Sequence, residues 1–177
     1  MDVTREDGRE PGPKAAPRPG EHPWGDRGQI VALVVFLAVW ALDSFVFRGS
    51  TFLAKEVGLL VRLAAAALVM ALAVYFMQGG HRAVPHEAGP PPGLITDGAF
   101  ARVRHPLYLG SLLVYLAFVA ATLSLVSLVV WIGVFIFYDV IASYEERELA
   151  AAHGSAYETY RDKVPKWLPR IKKAAVR

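Results

Sequence analysis

The sequence predicts an all-α integral membrane protein with about four transmembrane helices, of which the last two form a helical hairpin. Two observations lead to this fold class. Hydrophobic residues make up 54% of the 177 residues, and the 19 basic and 16 acidic residues are separated from long apolar runs. A run of about 20 apolar residues is long enough to cross the roughly 30 Å hydrocarbon core of a bilayer. The absence of cysteine excludes disulfides and thiolate catalysis.

The first 77 residues of the chain contain a polar tail and two apolar runs. Residues 1–29 combine many prolines and glycines with charges of both signs, which predicts a disordered tail. Transmembrane helices are predicted at about 30–47 and 56–77, and their apolar parts each carry one charge, Asp43 and Arg62. Because a charge inside a membrane is costly, we predict an ion pair between them across this first hairpin. Exposure of both side chains at the outer interface is the alternative.

The next apolar stretch contains 37 residues, which is too long for one crossing and long enough for two. We predict helices at about 107–121 and 125–143, joined at the small and hydroxylated residues 120–124. The second helix is expected to continue beyond the membrane to about His153, where Gly154 would end it. A C-terminal helical segment is predicted to follow.

The distribution of basic residues tests this arrangement. Four crossings place both termini and the 78–106 loop on one side, and 16 of the 19 lysine and arginine residues fall there. Arg48 and Lys55 fall on the other side, and Arg62 lies within a helix. Since basic residues accumulate in cytoplasmic loops, both termini are predicted to be cytoplasmic. We therefore predict a multi-pass protein of the inner or plasma membrane, with the lipid bilayer as a partner and no nucleic-acid binding.

Polar residues flank the predicted hairpin at its cytoplasmic end. Counted from Ser124, His105 lies 19 residues back and Glu145 lies 21 residues forward. At 1.5 Å per residue their depths differ by only about 3 Å. Residues 104–108 and 144–147 should therefore meet, bringing together cations, carboxylates, an imidazole and two phenols. On position alone, a belt of polar side chains at the membrane interface explains the same residues.

Spaced motifs between residues 90 and 170 are more specific. Residues 93–100 read G-L-I-T-D-G-A-F, and residues 104–110 read R-H-P-L-Y-L-G. The later motif residues are Glu145, Glu146, Gly154, Tyr157, Tyr160, Val164 and Pro165. In this order they resemble the isoprenylcysteine carboxyl methyltransferase family and its phospholipid methyltransferase relatives. The family patterns are L-V-T-x-G-x-Y, R-H-P-x-Y-x-G, E-E and G-x-x-Y-x-x-Y-x-x-x-V-P.

This resemblance implies methyl transfer from the cofactor S-adenosylmethionine to a lipophilic acceptor. The motifs leave open whether the acceptor atom is a carboxylate oxygen, an amine nitrogen or a thiol sulfur. The implied cofactor contacts are Pro92, Gly93, Leu94, Ile95, Phe100, Arg104, His105, Pro106, Leu107, Tyr108, Glu145 and Glu146. Apolar groups suit the adenine, a carboxylate suits the α-ammonium group, and an imidazole or guanidinium suits the α-carboxylate. Methyl transfer depends mainly on an in-line nucleophile, so we predict no general base.

The sequence departs from the prenylcysteine enzymes at Ile141, where the family pattern has an arginine that helps to hold the substrate carboxylate. Arg147 and Arg161 are the candidate substrate-binding residues that would replace it. No metal site is predicted, because the histidines share no metal-ligand spacing.

Two other functions remain open at this point. One is an NADPH-dependent membrane oxidoreductase of the sterol-reductase type, whose motif tends to read H-P-N-Y-x-G followed by an acid. Here Leu107 stands in place of the asparagine and Ser111 in place of the acid. The other is a non-enzymatic membrane protein, because motifs in one sequence do not prove turnover.

Overall fold

The secondary structure is helical throughout the residues that the computed structural model describes, which are 25–83 and 93–169. The main helices are α1 (Gly25–Ala41), α2 (Leu59–Ala83), α3 (Pro106–Thr122), α4 (Leu125–His153) and α5 (Ser155–Lys163). A π-helical segment, Leu42–Phe47, continues α1, and short 3₁₀ turns lie at Phe52–Lys55 and Gly98–Ala101. Helices α2 and α3 share the largest interface, and α4 packs on both α1 and α3.

Three helices are long and apolar enough to cross a membrane: Arg27–Phe47, Leu59–Ala83 and Leu125–His153. The apolar helix α3 is shorter, with 17 residues. Large apolar side chains cover the outside of these helices, and Leu60 is 83% exposed and Phe47 is 74% exposed. Contiguous apolar surface of this kind marks contact with lipid or another protein. The fold is therefore compatible with a multi-pass membrane protein.

Helix α1 begins earlier than predicted, at Gly25 instead of residue 30. Residues 25–29 of the predicted tail are thus helical, and residues 1–24 lie outside the described part of the chain. Adding a residue to an existing helix gains a hydrogen bond without a new nucleation step. Gly28 also lies against the ring of Phe137 on α4, so packing holds this first turn in place.

Helix α2 runs from Leu59 to Ala83, beyond the predicted end at residue 77. Its last turns pack closely on the chain that enters α3. A Cβ atom added at Gly79 would lie 2.8 Å from the Cβ of Ala99, and one at Gly80 would lie 2.7 Å from Leu107 Cδ2. The two glycines therefore allow the end of α2 to pack against Ala99 and Leu107, and this packing stabilises the helix beyond its apolar run.

The turn between α3 and α4 lies within the predicted segment 120–124. Leu123 has a left-handed φ of 51° and ends α3. Ser124 caps α4, because its Oγ accepts a hydrogen bond from the Ser127 amide at 3.0 Å. At the other end, α4 stops at His153 and Gly154 adopts a φ of 54°, as the sequence predicts.

The predicted ion pair between Asp43 and Arg62 is wrong. Asp43 accepts hydrogen bonds from the Ser50 amide at 3.2 Å and from Ser124 Oγ at 2.6 Å. Arg62 donates to the Val57 carbonyl at 3.1 Å and to the Ala121 carbonyl at 3.0 Å. Neutral donors of Ser50 and Ser124 reach the carboxylate, whereas one carbonyl from the segment before α2 and one from the end of α3 accept from the guanidinium.

Gly110 sets the distance between α2 and α3. A Cβ atom at this position would lie 2.4 Å from Met77 Cγ, 3.1 Å from the Ala73 carbonyl oxygen and 3.2 Å from the Met77 amide nitrogen. Two of these neighbours are backbone atoms, so the helices would have to separate to accept a methyl group. Small residues at helix interfaces commonly allow this close approach in membrane proteins.

Substitution of Gly110 with alanine is therefore expected to lower the free energy of unfolding by about 1–3 kcal/mol, because overpacking moves one helix away from the other. Thermal unfolding of purified protein in detergent measures the change. Gly133→Ala is the matched control, since Gly133 lies in α4 with no atom within 4 Å of its added Cβ. The control is expected to be neutral or slightly stabilising. Equal effects of the two substitutions would contradict this description of the interface.

The segment after α5 folds back onto α4, which the sequence did not reveal. Lys166 Nζ lies 2.6 Å from Asp139 Oδ1 and 2.7 Å from Ser143 Oγ. Trp167 Nε1 donates to the same carboxylate at 2.8 Å. These bonds to α4 bring Trp167 beside His105, with ring centroids 5.8 Å apart.

Candidate functional site

Arg104 joins three parts of the chain just before α3. Its Nε lies 2.9 Å from Glu146 Oε1, and its Nη2 lies 3.2 Å from Glu146 Oε2. Its Nη1 donates to the carbonyls of Arg161 at 3.1 Å and Val164 at 2.7 Å. The Arg104 amide also donates to the Pro165 carbonyl at 3.0 Å. The planar guanidinium thus ties the entry to α3, the surface of α4 and the end of α5 into one unit.

His105 lies between two adjacent carboxylates of α4. Its Nε2 is 3.0 Å from Glu146 Oε1, and its Nδ1 is 3.7 Å from Glu145 Oε2. Tyr108, one turn further along α3, donates a hydrogen bond to Glu145 and holds its ring nearly parallel to that of His105, with an interplanar angle of 5°. The sequence prediction that these two segments meet at one end of the hairpin is therefore correct.

Burial determines the charge of His105. The side chain is 7% exposed, and this burial lowers the pKa of His105 below its usual value of 6.5, against the opposing effect of the hydrogen bond to Glu146. A neutral imidazole donates from only one nitrogen. Donation from Nε2 to Glu146 leaves Nδ1 as an acceptor next to the Glu145 carboxylate. This arrangement suits a bound cation with N–H groups.

A cavity of about 370 Å³ opens beside His105. Its volume lies within the range of about 300–1,000 Å³ that is typical of small-molecule sites. The walls come from the loop before α3, the last turns of α4 and helix α5. The lining residues are Gly93, Leu94, Ile95, Phe100, Arg104, His105, Leu149, Ala152, His153, Tyr157 and Tyr160. Most of the wall is therefore apolar, and Arg104, His105 and His153 add a guanidinium and two imidazoles to it.

Two tyrosines of α5 differ in how their hydroxyl groups are satisfied. Tyr160 Oη donates to the Phe100 carbonyl at 2.8 Å and so ties α5 to the loop that forms the cavity wall. Tyr157 is 1% exposed, and its hydroxyl has no hydrogen-bond partner among the described residues. Burial raises the pKa of Tyr157 to about 12, so the hydroxyl keeps its proton. A buried hydroxyl without a partner is unusual and calls for an explanation.

The structure places the predicted site residues in three groups. Gly93, Leu94, Ile95, Phe100, Arg104 and His105 line the cavity. Pro106 and Leu107 form the start of α3, and Tyr108, Glu145 and Glu146 lie next to the cavity wall, in contact with Arg104 or His105 or with each other. Pro92 lies outside the described residues. The candidate substrate residues Arg147 and Arg161 have exposed side chains and do not line this cavity.

Five residues that line the cavity were not among the predicted site residues. Leu149, Ala152 and His153 follow Glu145 and Glu146 at one-turn intervals along α4. Residues three or four apart share a helix face, so this period alone would have identified them. Tyr157 and Tyr160 belong to the recognised motif, but only the packing of α5 shows that they face the cavity.

Comparison with known proteins decides the family. A model of the phospholipid methyltransferase family matches residues 61–156. The chain belongs to the phospholipid methyltransferase family. This membership confirms the resemblance that the motifs indicated. The matched segment contains Arg104, His105, Glu145 and Glu146, whereas the two cavity tyrosines of α5 lie just beyond it.

Two curated relatives of this phospholipid methyltransferase family member are methyltransferases by name. A methanethiol S-methyltransferase of Crocosphaera subtropica is 28% identical over 145 residues, which are 81% of this chain and 50% of that protein. A protein-S-isoprenylcysteine O-methyltransferase of Schizosaccharomyces pombe is 39% identical over 84 residues, which are 44% of this chain and 34% of that protein. The matched part of the chain thus spans half the length of the first relative and about a third of the length of the second. No solved structure matches the chain.

The lowered pKa of His105 predicts how this family member responds to pH. A group whose folded pKa is below its unfolded value stabilises the fold at pH values above the unfolded pKa. We expect the melting temperature to fall as the pH decreases from 6.5 through the folded pKa of His105. The charged and titratable groups around the ring are Arg104, Tyr108, Glu145, Glu146 and Lys166.

Thermal unfolding between pH 5 and pH 8 measures this effect, with His105→Gln as the test variant. The variant is expected to lose part of the stability at neutral pH and to show a flatter dependence below pH 6.5. His81→Gln, an exposed substitution at the end of α2, is the control and should leave the curve unchanged. An unchanged curve in the His105 variant would show that other groups cause the pH dependence.

Proposed function

We propose that this protein transfers a methyl group from S-adenosylmethionine to a lipophilic acceptor. The observation that carries this proposal is the cavity beside His105, whose lining residues lie mostly in the family segment and combine apolar side chains with Arg104 and His105. Two of its polar residues, Arg104 and His105, are among the cofactor contacts that the methyltransferase motifs predicted. Both curated relatives are named for methyl transfer, to a thiol sulfur in one and to an oxygen in the other.

The residues of the cavity fit the chemical groups of this cofactor. Leu94, Ile95 and Phe100 would hold the adenine by apolar contact. The pair of acceptors formed by His105 Nδ1 and Glu145 Oε2, 3.7 Å apart, suits the α-ammonium group. The unpartnered Tyr157 hydroxyl would find its missing hydrogen bond on the cofactor. The proposal thereby accounts for a buried polar atom that the fold leaves unsatisfied.

When bound, S-adenosylmethionine supplies an electrophilic methyl group whose bond to sulfur breaks as the bond to the acceptor forms. Such a displacement requires alignment of the two reacting groups more than acid–base chemistry. The chain contributes binding and orientation through Arg104, His105 and Glu145. The apolar wall excludes water from the reaction. We accordingly assign no general base.

The acceptor is proposed to be lipophilic and to reach the cavity from the bilayer. Apolar side chains cover the outer faces of α1 and α2, so the protein is surrounded by a medium in which such a molecule accumulates. Ile141 is 2% exposed and apolar, where the prenylcysteine pattern has an arginine. Without that positive charge, a thiol or an amine is favoured over a carboxylate as the methyl acceptor. If a carboxylate is the acceptor, Arg147 and Arg161 are the cations proposed to bind it.

We further propose that α3 makes a fourth crossing and that the cavity lies on the cytoplasmic side of the inner or plasma membrane. Three helices already have the required length and composition, and α3 packs along α2 over much of its length. The basic residues that precede α1 and follow α4 would then lie on the same side, in agreement with the positive-inside rule. A water-soluble cofactor would enter from that side.

Binding of S-adenosylmethionine and NADPH to the purified protein in detergent tests the proposed function. Isothermal titration calorimetry of the full chain should show saturable binding of S-adenosylmethionine and none of NADPH. The reverse result would assign the cavity to an oxidoreductase. Absence of binding by both would contradict an enzymatic role. Thiol, amine and carboxyl acceptors with apolar chains, assayed with the radiolabelled methyl donor, would then identify the acceptor atom.

Substitution of Tyr157 gives a second test. Loss of a ligand contact lowers the affinity for the ligand, whereas loss of a structural contact lowers the stability of the fold. Tyr157→Phe removes a hydroxyl that has no partner in the fold, so stability should remain the same or increase slightly. The affinity for S-adenosylmethionine should fall roughly tenfold, the effect of one hydrogen bond. Calorimetry and thermal unfolding measure the two quantities on the same preparation.

Tyr160→Phe is the matched control on the same helix. It removes the hydrogen bond to the Phe100 carbonyl, so it should reduce stability by about 1 kcal/mol. Wild-type affinity in the Tyr157 variant would show that its hydroxyl does not contact the cofactor.

A further inference from the structure

A second cavity, of about 530 Å³, lies at the end of the bundle away from His105. It adjoins Thr122 at the end of α3, whereas His105 precedes the start of that helix. The 16 residue steps along α3 separate the two ends by roughly 24 Å. The polar residues that line this second cavity are Ser44, Arg48, Thr51, Lys55, Arg62 and Thr122. The cavity is thus distinct from the proposed cofactor site and does not rest on the proposed function.

Charge is the main feature of the second cavity. Arg48, Lys55 and Arg62 all line it, and they are the three basic residues that four crossings leave outside the cytoplasmic segments. Random placement would not bring every basic residue of this part of the chain to one cavity. Repulsion between three cations opposes this arrangement unless an anion compensates for it.

The described residues provide no such compensation. Arg48 and Lys55 form no ion pair there, and Arg62 bonds only to backbone carbonyls. Asp43 accepts hydrogen bonds from Ser50 and Ser124, and Glu56 is exposed beside Lys55, but neither acid lines the cavity. The lining residues therefore carry three positive charges and no negative one.

An unsatisfied donor adds a second, independent observation. Ser44 is 9% exposed, it lines the cavity, and its Oγ has no hydrogen-bond partner among the described residues. It lies in the π-helical segment that continues α1, a distortion that frequently occurs at functional sites. Arg62 uses only two of its five N–H groups on the Val57 and Ala121 carbonyls. Both side chains have donors left for an anion.

We propose that this second cavity binds a phosphate group. A phosphate presents several strong acceptor oxygens and a negative charge, which match the guanidinium, ammonium and hydroxyl donors of the cavity. Phe45 and Phe52 also line it and are 59% and 56% exposed. Apolar rings beside a cationic cavity at the end of apolar helices match a phospholipid, with its headgroup in the cavity and its acyl chains against the rings. A soluble phosphate ester has the same headgroup chemistry, and the experiment separates the two sources.

The test titrates the full-length protein in detergent with phosphatidylglycerol, phosphatidylcholine and glycerol 3-phosphate. Native mass spectrometry measures retained lipid, and thermal unfolding measures stabilisation by each probe. Wild-type protein should retain phosphatidylglycerol in preference to phosphatidylcholine. The double variant Arg48→Gln with Lys55→Gln should bind it roughly 30-fold more weakly, because each of the two basic residues contributes about 1 kcal/mol near an anionic lipid. Ser44→Ala should weaken binding without a loss of stability.

Lys163→Gln, an exposed substitution on α5, is the control for a general loss of positive charge and should bind like the wild type. Stabilisation by glycerol 3-phosphate equal to that by phosphatidylglycerol would support the phosphate site and identify a soluble ester as its ligand. Equal binding of phosphatidylglycerol by wild type and double variant would overturn the proposal, as would equal retention of the zwitterionic and anionic lipids.

Discussion

Replacement of Arg104 with alanine is expected to lower the free energy of unfolding by about 3 kcal/mol and to eliminate cofactor binding. Arg104 and Glu146 have side chains that are 12% and 15% exposed, so the substitution leaves a largely buried carboxylate without its main partner. It also removes the donors to the Arg161 and Val164 carbonyls, which hold α5 against the cavity. Thermal unfolding and calorimetry with S-adenosylmethionine measure the two effects.

Further variants separate the geometry of Arg104 from its charge. Arg104→Lys keeps the charge but cannot supply the planar fork that reaches Glu146 and two carbonyls at once, so it should recover only part of the stability. Arg102→Ala is the matched control, because Arg102 is exposed and its guanidinium lies over the ring of Tyr75 at 5.2 Å. Full recovery in the lysine variant would show that charge alone matters at residue 104. Comparable losses of stability and of S-adenosylmethionine binding in the Arg102 variant would show that neither effect is specific to Arg104.

Replacement of Glu145 with glutamine is expected to weaken S-adenosylmethionine binding roughly 30- to 100-fold, the contribution of a hydrogen bond to a charged group. The glutamine keeps an acceptor for Tyr108 and removes only the negative charge next to His105 Nδ1. The fold should therefore remain intact. Binding measured by calorimetry, with thermal unfolding of the same samples, distinguishes loss of a ligand contact from loss of structure.

Two controls make this result specific. Glu148→Gln changes an exposed carboxylate one turn further along α4 and should leave the affinity unchanged. 5′-Methylthioadenosine lacks the amino-acid part of the cofactor, so its affinity should be the same in wild type and in the Glu145 variant. An equal loss of affinity for both ligands would show that Glu145 does not contact the ammonium group. Wild-type affinity for S-adenosylmethionine in the variant would remove Glu145 from the site.

The sequence contained most of the information about the site because that information is local. Six residues between 93 and 105 line the cavity, and the pairing of His105 with Glu145 and Glu146 follows from the similar lengths of two helices around one turn. The apolar runs likewise predicted the helices, because the requirement for about 20 apolar residues is a property of each segment by itself.

The partners of individual charges were not predictable in the same way. Asp43 and Arg62 have similar depths, yet hydroxyl and carbonyl groups from other segments satisfy each of them separately. Asp139, the one acid in its apolar run, is bound by Lys166 from beyond α5. Depth along a helix can be counted from the sequence, but the direction in which a side chain points and the segment that meets it depend on packing.

The sequence by itself therefore determined the helical membrane fold, the position of the turn at Ser124 and the family of the chain, because each depends on composition or on short motifs. Only the tertiary structure decided that Arg104 joins α3, α4 and α5, that the buried Tyr157 hydroxyl has no partner among the described residues, and that Arg48, Lys55 and Arg62 share one cavity. The physical reason is the close contact of helices at small residues such as Gly110, which sets their rotation and separation. Those two quantities determine which distant side chains meet.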